Sequence, residues 1–553
     1  MGKINSQQKR KAVNLPRMEA RTHPQATKNF EGGLAYDYSN LELKLFSQVA
    51  SALIGEDSFY QSAQDKDAEL YRTIHAMMEE NPEFVLQMAK FARNKLNLRT
   101  VPIVLLGEAA KRPELYVDEC SGQSMIRRYI PAIVRRADEI TEILAYLADG
   151  SSFGDWSKGN MLPNAVRRGL QAAIHNFDEY QLSKYDRDSG SFKMRDAIRL
   201  IHPKPMDKSE SALYKYLIEP DFWNLDVAEE AEEMEDLLPK TYHKKMMLKK
   251  EKFTPAAIAH MDQGHVTWEV ATTHFGNKKE VWEACLPNMG YMAVLRNLRN
   301  MLQAGISETH LADLIADDPE RVKKSRQLPF RFFSASKVIG NEYTEVQDAL
   351  ARAFDISVEN VPLKTGKTLV AIDFSASMEQ PISKKSSVSI KEVGMCMGAI
   401  AVKLTHGAVC IFGNDIKWEP LRSTDSMVTN VNLLYQDRRA VGQATYAHLV
   451  LDDAIRKSLF FDRIILLSDM QCYSEGSMYG CDYRSLRESL LRYRRDINPR
   501  ATFISVDLEG YGTVQMPDDD PQVMLVGGWN DAIYRLIDVW ENGEDYLEEV
   551  RSL

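Results

Sequence analysis

Apolar and polar positions along this chain fall into two regimes. From about residue 41 to 355 the apolar residues recur at helical spacing. Leu70, Ile74, Met77 and Met78 fall at i, i+4, i+7 and i+8, one face of a helix. Asn81-Pro82-Glu83 then reads as a helix start, with Asn as cap and Pro at the first helical position. Phe84, Met88, Phe91 and Ala92 repeat the spacing. Similar amphipathic segments are predicted near 101–111, 123–148, 164–175, 193–201, 211–218, 254–261, 279–285, 290–304, 308–315 and 344–354. Short loops between many helices of this length predict stacked helical pairs, an α-solenoid, although no sequence period repeats cleanly.

After residue 368 the pattern changes. Short apolar runs are predicted as strands at 369–373, 408–412, 463–468, 501–506 and 523–526. Helices are predicted between and after them at 391–405, 446–457, 484–496 and 529–541. This alternation predicts an α/β domain with an open, mostly parallel sheet covered on both faces. The chain therefore divides into an N-terminal arm (1–40), a helical domain (41–355), a linker (356–367) and an α/β domain (368–553).

The first strand carries the chemistry. Leu369-Val370-Ala371-Ile372 runs into Asp373, and Ser375 and Ser377 follow at alternate positions. Ligands bind at the carboxyl ends of parallel strands where the topology switches direction. A carboxylate and two hydroxyls on one tight loop there form an all-oxygen donor set suited to Mg²⁺, Mn²⁺ or Ca²⁺, and not to zinc or copper. A second apolar strand, Arg463 to Ser468, runs into Asp469, and Thr445 follows a loop containing Gly442. Asp373, Ser375, Ser377, Thr445 and Asp469 together resemble the metal-ion-dependent adhesion site of von Willebrand factor A domains. That resemblance implies one divalent cation, Mg²⁺ first and Mn²⁺ or Ca²⁺ as alternatives. The loop here reads Gly442-Gln443-Ala444 where that family has two glycines directly before the Thr, so a positive φ demanded of Ala444 would strain it. The plainer account is that Asp and Ser at strand-to-helix turns cap helix termini.

Composition adds boundaries. The 553 residues are 44% apolar and 27% charged, the balance of an ordinary soluble globular protein. No stretch approaches the roughly 20 apolar residues that span a bilayer, and the first residues lack the apolar core of a secretory signal. Met1-Gly2 followed by Ser6 fits a myristoylation pattern that is common by chance. Six scattered cysteines without C-x-x-C predict a reduced, cytoplasmic protein with no structural zinc, and Cys472 and Cys481 read as free surface thiols.

A net charge of −10 argues against indiscriminate polyanion binding, yet the helical region concentrates basic residues. Arg127-Arg128 and Arg135-Arg136 lie about two helical turns apart. Arg167-Arg168 follow Pro163-Asn164, and Lys184, Arg187, Lys193, Arg195, Arg199, His202, Lys204 and Lys208 form the densest stretch, mixed with Tyr180, Tyr185 and Phe192. Each cluster alone is a solvated face; the set is a candidate track for a nucleic-acid backbone.

The same stretch carries a family resemblance. Gln181-Leu182-Ser183-Lys184-Tyr185, Arg195-Asp196-Ala197-Ile198-Arg199-Leu200-Ile201-His202-Pro203-Lys204-Pro205, Met289 to Leu298 and Phe30 to Tyr36 resemble the TROVE module of Ro60-type ribonucleoproteins, in a bacterial or phage form. The resemblance implies a ring of HEAT-like helical repeats closed by the von Willebrand-type domain. It implies a structured small RNA of the Y type on the outer surface and single-stranded ends of misfolded RNA in the central hole. By residue matching it places Lys184, Arg187 and His202 at the Y RNA site, with Arg167 and Arg168 beside them. It further implies an exoribonuclease partner, such as polynucleotide phosphorylase, and a role in small-RNA quality control or degradation.

Two other classes compete with this non-catalytic RNA-binding reading. A metal-dependent nuclease or phosphatase needs more acidic ligands and a general base, and no phosphate loop, H-E-x-x-H or nucleophile elbow occurs. A metal-dependent protein-adhesion scaffold without RNA would use the same cation and leave the basic clusters solvated.

Overall fold

The structure, a computed structural model, describes residues 23–52, 54–56, 58, 60–118, 120–149, 162–185, 192–327, 329–359, 361, 366–384, 386–437, 439–473, 485–528 and 532–553. The myristoylation pattern, Arg187 and Cys481 lie outside these residues. The chain divides into two compact units. One comprises 1–70 and 358–544, the other 71–357 and 545–553. These boundaries differ from the 1–40, 41–355, 356–367 and 368–553 division expected from the sequence.

The first unit opens with a hairpin, β1 (Ala26–Lys28) and β2 (Leu34–Tyr36), paired antiparallel with Lys28 opposite Leu34. Its main sheet contains β3 (Thr368–Asp373), β4 (Ala408–Phe412), β5 (Ile416–Glu419), β6 (Arg463–Ser468), β7 (Thr502–Asp507) and β8 (Val523–Gly527). The strand order is β5-β4-β3-β6-β7-β8, all parallel except the β4–β5 edge pair. Every residue of β3 and β6 is buried, as a strand covered on both faces requires. The short β5 edge escaped the sequence pattern, because Ile416-Lys417-Trp418-Glu419 alternates over only four residues.

The helix Leu41–Ser51 packs on β8, which is why residues before 70 join this unit. Leu45, Phe46 and Val49 form its fully buried face. Gly527 permits the approach, since a Cβ there would lie 2.3 Å from the Ser47 carbonyl oxygen. Val514 and Tyr36 exchange backbone hydrogen bonds of 2.8 and 3.0 Å, tying the hairpin to the same unit.

The second unit is helical among its described residues. Helices 82–94 and 100–111, 125–133 and 164–174, and 239–248 and 255–263 pack as pairs. The expected single helix at 123–148 is two, Met125–Ile133 and Ala137–Asp149. Glu139 closes the break by accepting from the Arg135 and Arg136 amides at 2.8 and 3.1 Å. Residues 545–553 return to this unit, where the Leu553 and Arg551 carbonyls accept from Lys90 Nζ and Gln87 Nε2 at 2.8 and 2.7 Å. Among the described residues no helix is long and apolar enough to cross a membrane.

Candidate metal centre and nucleic-acid interface

In the first unit, β3 and β6 are adjacent while their onward connections lead to opposite sides of the sheet. Their carboxyl ends therefore form a switch point, which Asp373 leaves opposite Ser468, with Asp469 one residue further along. Asp373, Ser375, Ser377, Thr445 and Asp469 are all buried, none more than 2% exposed. The Ser375 amide donates to Asp373 Oδ1 at 2.8 Å, and the Ser375 and Ser377 hydroxyls are 3.1 Å apart. Ser468 Oγ donates to Asp373 Oδ2 at 2.7 Å, and the Gln471 amide donates to Asp469 Oδ1 at 3.2 Å.

The Thr445 loop solves its steric problem one step earlier than the sequence suggests. Gly442 takes the positive φ of 79°, and Ala444 is not left-handed. Asn414 Oδ1 holds the loop by accepting from the Gln443 and Ala444 amides at 2.8 and 3.1 Å. The loop in turn reaches the Ser loop, since the Ala376 amide donates to the Gln443 carbonyl at 3.0 Å.

The centre is acidic and buried. Burial raises the Asp373 carboxyl above its usual range, against hydrogen bonds from Ser468 and Ser375 and the more distant charge of Lys391. Burial, and then the neighbouring Asp373 charge, push Asp469 well above it, against the Ser377 hydroxyl. Asp469 Oδ2 accepts no hydrogen bond from any described residue. An orphaned buried carboxylate oxygen among hydroxyls fits a hard divalent cation. Among the described residues no group of three or more His, Cys, Asp or Glu is placed to hold a metal, so any cation here relies on hydroxyl donors. Cys472, expected at the surface, is buried and free.

Sequence reasoning missed what stands beside this centre. Asn29 Nδ2 donates to the Cys472 carbonyl at 2.6 Å, and the Phe30 amide to Gln471 Oε1 at 2.9 Å. The Glu31 carboxylate accepts from both the Tyr60 and Tyr473 hydroxyls. Apart from Glu31 and Tyr60, these partners lie more than four hundred residues apart in sequence, so no local pattern announces them.

In the second unit the predicted RNA residues divide into two settings. Arg168 and His202 are exposed, and Arg167 is half-buried. His202 caps the helix Met194–Ile201 in the left-handed conformation, φ 48°. Gln171, three and four residues beyond Arg168 and Arg167 on their helix, donates to the Ile201 and His202 carbonyls at 2.6 and 3.1 Å. These residues therefore belong to one surface. Arg167 Nη2 donates to Asn164 Oδ1 at 2.9 Å, while its buried Nε has no hydrogen-bond partner among the described residues.

Lys184 has a different setting. Its ammonium lies 5.3 and 5.5 Å from the Tyr180 and Tyr185 ring centres and 3.2 Å from the Tyr180 hydroxyl. It lines a cleft of about 630 Å³ with Arg136, Lys240, Arg296 and Trp268. Arg136 stacks 4.5 Å from the Tyr185 ring centre and pairs with Asp138 at 2.9 Å; Lys240 pairs with Asp178 at 3.0 Å. Lys240 and Trp268 were not foreseen. The Tyr180–Lys184 spacing of one helical turn was the available signal.

A family model for the TROVE domain matches residues 39–254 and 218–392. The Telomerase protein component 1 of Rattus norvegicus is 26% identical over 339 residues, 53% of this chain and 12% of that protein. That of Mus musculus is 27% identical over 344 residues, again 12% of its length, so this chain spans only a small part of either. The RNA-binding protein RO60 of Deinococcus radiodurans is 24% identical over 389 residues, 66% of this chain and 68% of that one. The crystal structure of the Deinococcus radiodurans RO (RSR) protein shares the fold, with a TM-score of 0.66 at 17% identity, covering 91% of this chain and 100% of that one. The six-stranded, mostly parallel sheet unit is consistent with a von Willebrand factor A-like fold.

Proposed function

The chain belongs to the TROVE domain family, and from that premise we propose that it is a non-catalytic RNA-binding protein that works as a ribonucleoprotein. The observation that carries this reading is the cleft in which Arg136, Lys184, Lys240 and Arg296 meet Tyr180, Tyr185 and Trp268. Cations beside aromatic rings suit a phosphodiester backbone with unstacked bases, and do so without reading sequence. RNA binding by the Deinococcus radiodurans relative, as its name states, supports the same reading.

The finer proposal has two RNA ligands. A structured small RNA of the Y type lies on the exposed surface of Arg167, Arg168 and His202, with Lys184 and Arg187 contributing. Single-stranded ends of misfolded RNA enter a basic central hole. The particle serves RNA quality control or degradation in the cytoplasm, with an exoribonuclease recruited through the small RNA.

The centre at Asp373, Ser375, Ser377, Thr445 and Asp469 would hold one divalent cation, Mg²⁺ first and Mn²⁺ or Ca²⁺ otherwise. When bound, the cation supplies an electrophilic docking point for a carboxylate. The chain's own part is to fix the oxygens: Ser468 and the Ser375 amide orient Asp373, and the Gln471 amide orients Asp469. The orphaned Asp469 oxygen supports this centre and keeps a protein-adhesion role open as the second reading.

Sequencing the RNA that co-purifies with the protein, with affinity measured at two salt concentrations, tests the main reading. A discrete small RNA whose affinity falls steeply with salt supports it. No RNA above background overturns it in favour of the adhesion scaffold.

A further inference from the structure

The cations of the cleft are held by its tyrosines. Arg136 stands 4.5 Å from the Tyr185 ring centre, and Lys184 stands 5.5 Å from it. Lys184 also stands 5.3 Å from the Tyr180 ring centre, and Lys240 stands 5.8 Å from it. The order Arg136, Tyr185, Lys184, Tyr180, Lys240 is therefore one ladder in which cations and rings alternate. All four separations fall within the reach of about 6 Å over which an aromatic ring attracts a cation. The far end of the ladder is tied down twice. Lys240 pairs with Asp178 at 3.0 Å, and the Thr241 amide donates to Glu179 Oε1 at 2.5 Å. A base that stacked on either tyrosine would compete with two cations for the ring.

Trp268 is set differently. Among the described residues its ring neighbour is another indole, Trp282, stacked with ring centres 5.6 Å apart and planes 23° apart, and no cation stands over it. Trp282 is buried, and its Nε1 donates to Asn277 Oδ1 at 2.5 Å, so it forms a fixed backing for the first ring. Trp268 itself is half-buried and borders the cavity. The turn before it sets its place. Gly264 sits so close to the helix Pro239–Leu248 that a Cβ there would lie 2.9 Å from the Lys244 amide nitrogen and 3.1 Å from the Lys240 carbonyl oxygen. His265 then takes the left-handed conformation, φ 46°, and the Val266 amide donates to the Met261 carbonyl at 2.9 Å. The turn that leads to Trp268 is thus seated on the helix that carries Lys240.

We propose that Trp268 is the nucleobase subsite of the cleft. One unpaired base stacks on its cavity side, with Trp282 as backing, while Arg136, Lys184 and Lys240 receive neighbouring phosphates. Tyr180 and Tyr185 are positioning residues: they keep those cations in their row and carry no base. The inference rests on the RNA reading of the cleft, and adds to it a division of labour among the aromatic residues. A base inside a duplex has both faces covered by its neighbours, so the subsite accepts only an unstacked base. Every base has a face to offer, so the subsite tolerates any sequence.

The test is fluorescence anisotropy of the full chain with two labelled probes, an unstructured RNA oligonucleotide and inorganic polyphosphate, which has the charge without the bases. Trp268→Leu should weaken oligonucleotide binding on the order of 10- to 100-fold. It should leave the salt slope and the polyphosphate affinity unchanged, because it removes no cation. Trp268→Phe keeps a ring and should recover most of the loss. Tyr180→Leu releases Lys184 and Lys240, and should weaken both probes by similar factors. Unchanged oligonucleotide affinity in Trp268→Leu overturns the inference and leaves the RNA reading standing on the cations. Equal losses for both probes in Trp268→Leu, or a Phe variant as weak as the Leu variant, make Trp268 a packing residue of the cleft wall and overturn it as well. A Tyr180→Leu loss confined to the oligonucleotide makes that tyrosine a stacking platform and overturns the division of labour. No oligonucleotide binding by the unaltered chain overturns the RNA reading, and this inference with it.

Discussion

Ser468 and Asp373 end adjacent parallel strands, and the Ser468 hydroxyl donates to Asp373 Oδ2 at 2.7 Å. The register makes this contact: Ile372 faces Leu467, so the next residues along, Asp373 and Ser468, leave the sheet together. The same hydroxyl accepts from the Met470 amide at 3.1 Å, which helps shape the turn that presents Asp469. A residue outside the D-x-S-x-S pattern therefore orients both acidic side chains.

Ser468→Ala leaves Asp373 Oδ2 without that donor in a buried site. The expected cost is about 1–3 kcal/mol of stability in chelator, read from urea unfolding. Mn²⁺ affinity should fall on the order of tenfold or more, because the carboxylate loses its orienting partner. Unaltered stability and affinity would show that Ser468 is incidental to the centre.

Lys184 and Arg296 line the cleft, and neither makes an ion pair among the described residues. Lys184→Ala and Arg296→Ala should each weaken single-stranded RNA binding across sequences. Each should also reduce the slope of log affinity against log salt by about one. Fluorescence anisotropy with an unstructured oligonucleotide at several salt concentrations reads both quantities.

Arg168→Ala combined with His202→Ala should weaken structured small RNA while leaving the single-strand salt slope unchanged, since these residues belong to the surface tied through Gln171. Competition between a hairpin RNA and an unstructured oligonucleotide checks this. Equal losses for both RNAs would merge the two surfaces into one site.

Asp507, at the end of β7, is raised to about 7 by burial, against the Glu509 and Gly510 amides that donate to its Oδ1 at 3.0 and 2.8 Å. The folded chain therefore keeps this proton where the unfolded chain has lost it. The stabilisation is fully present below about pH 4 and is lost as pH rises through about 7. Asp507→Asn keeps an acceptor for both amides and removes the titration. The variant should gain stability over the unaltered chain by about 2–4 kcal/mol between pH 4 and 8. Thermal melts across that range in chelator measure it, and parallel pH profiles would place the titration elsewhere.

The sequence by itself determined the architecture of each regime and the donor types of the centre. Helical spacing marked most helices of the second unit, because each needs one apolar stripe to pack against its neighbour. Continuous apolar runs marked β3 and β6, because strands buried on both faces have no polar side. Asp373, Ser375 and Ser377 were legible because they are local, and the family resemblance placed Thr445 and Asp469 beside them. Tertiary structure alone decided the rest. Whether a helix such as Leu41–Ser51 covers a sheet or a neighbouring helix depends on the surface that meets its apolar face, here β8 with Gly527, and amphipathicity is the same in either case. The cleft of Lys184, Lys240 and Arg296 joins residues from separate helices. Glu31 meets Tyr473 only because a hairpin near one end of the chain docks on a loop over four hundred residues away. Periodicity reports the face an element buries, and the partner across that face is fixed only when the chain is packed.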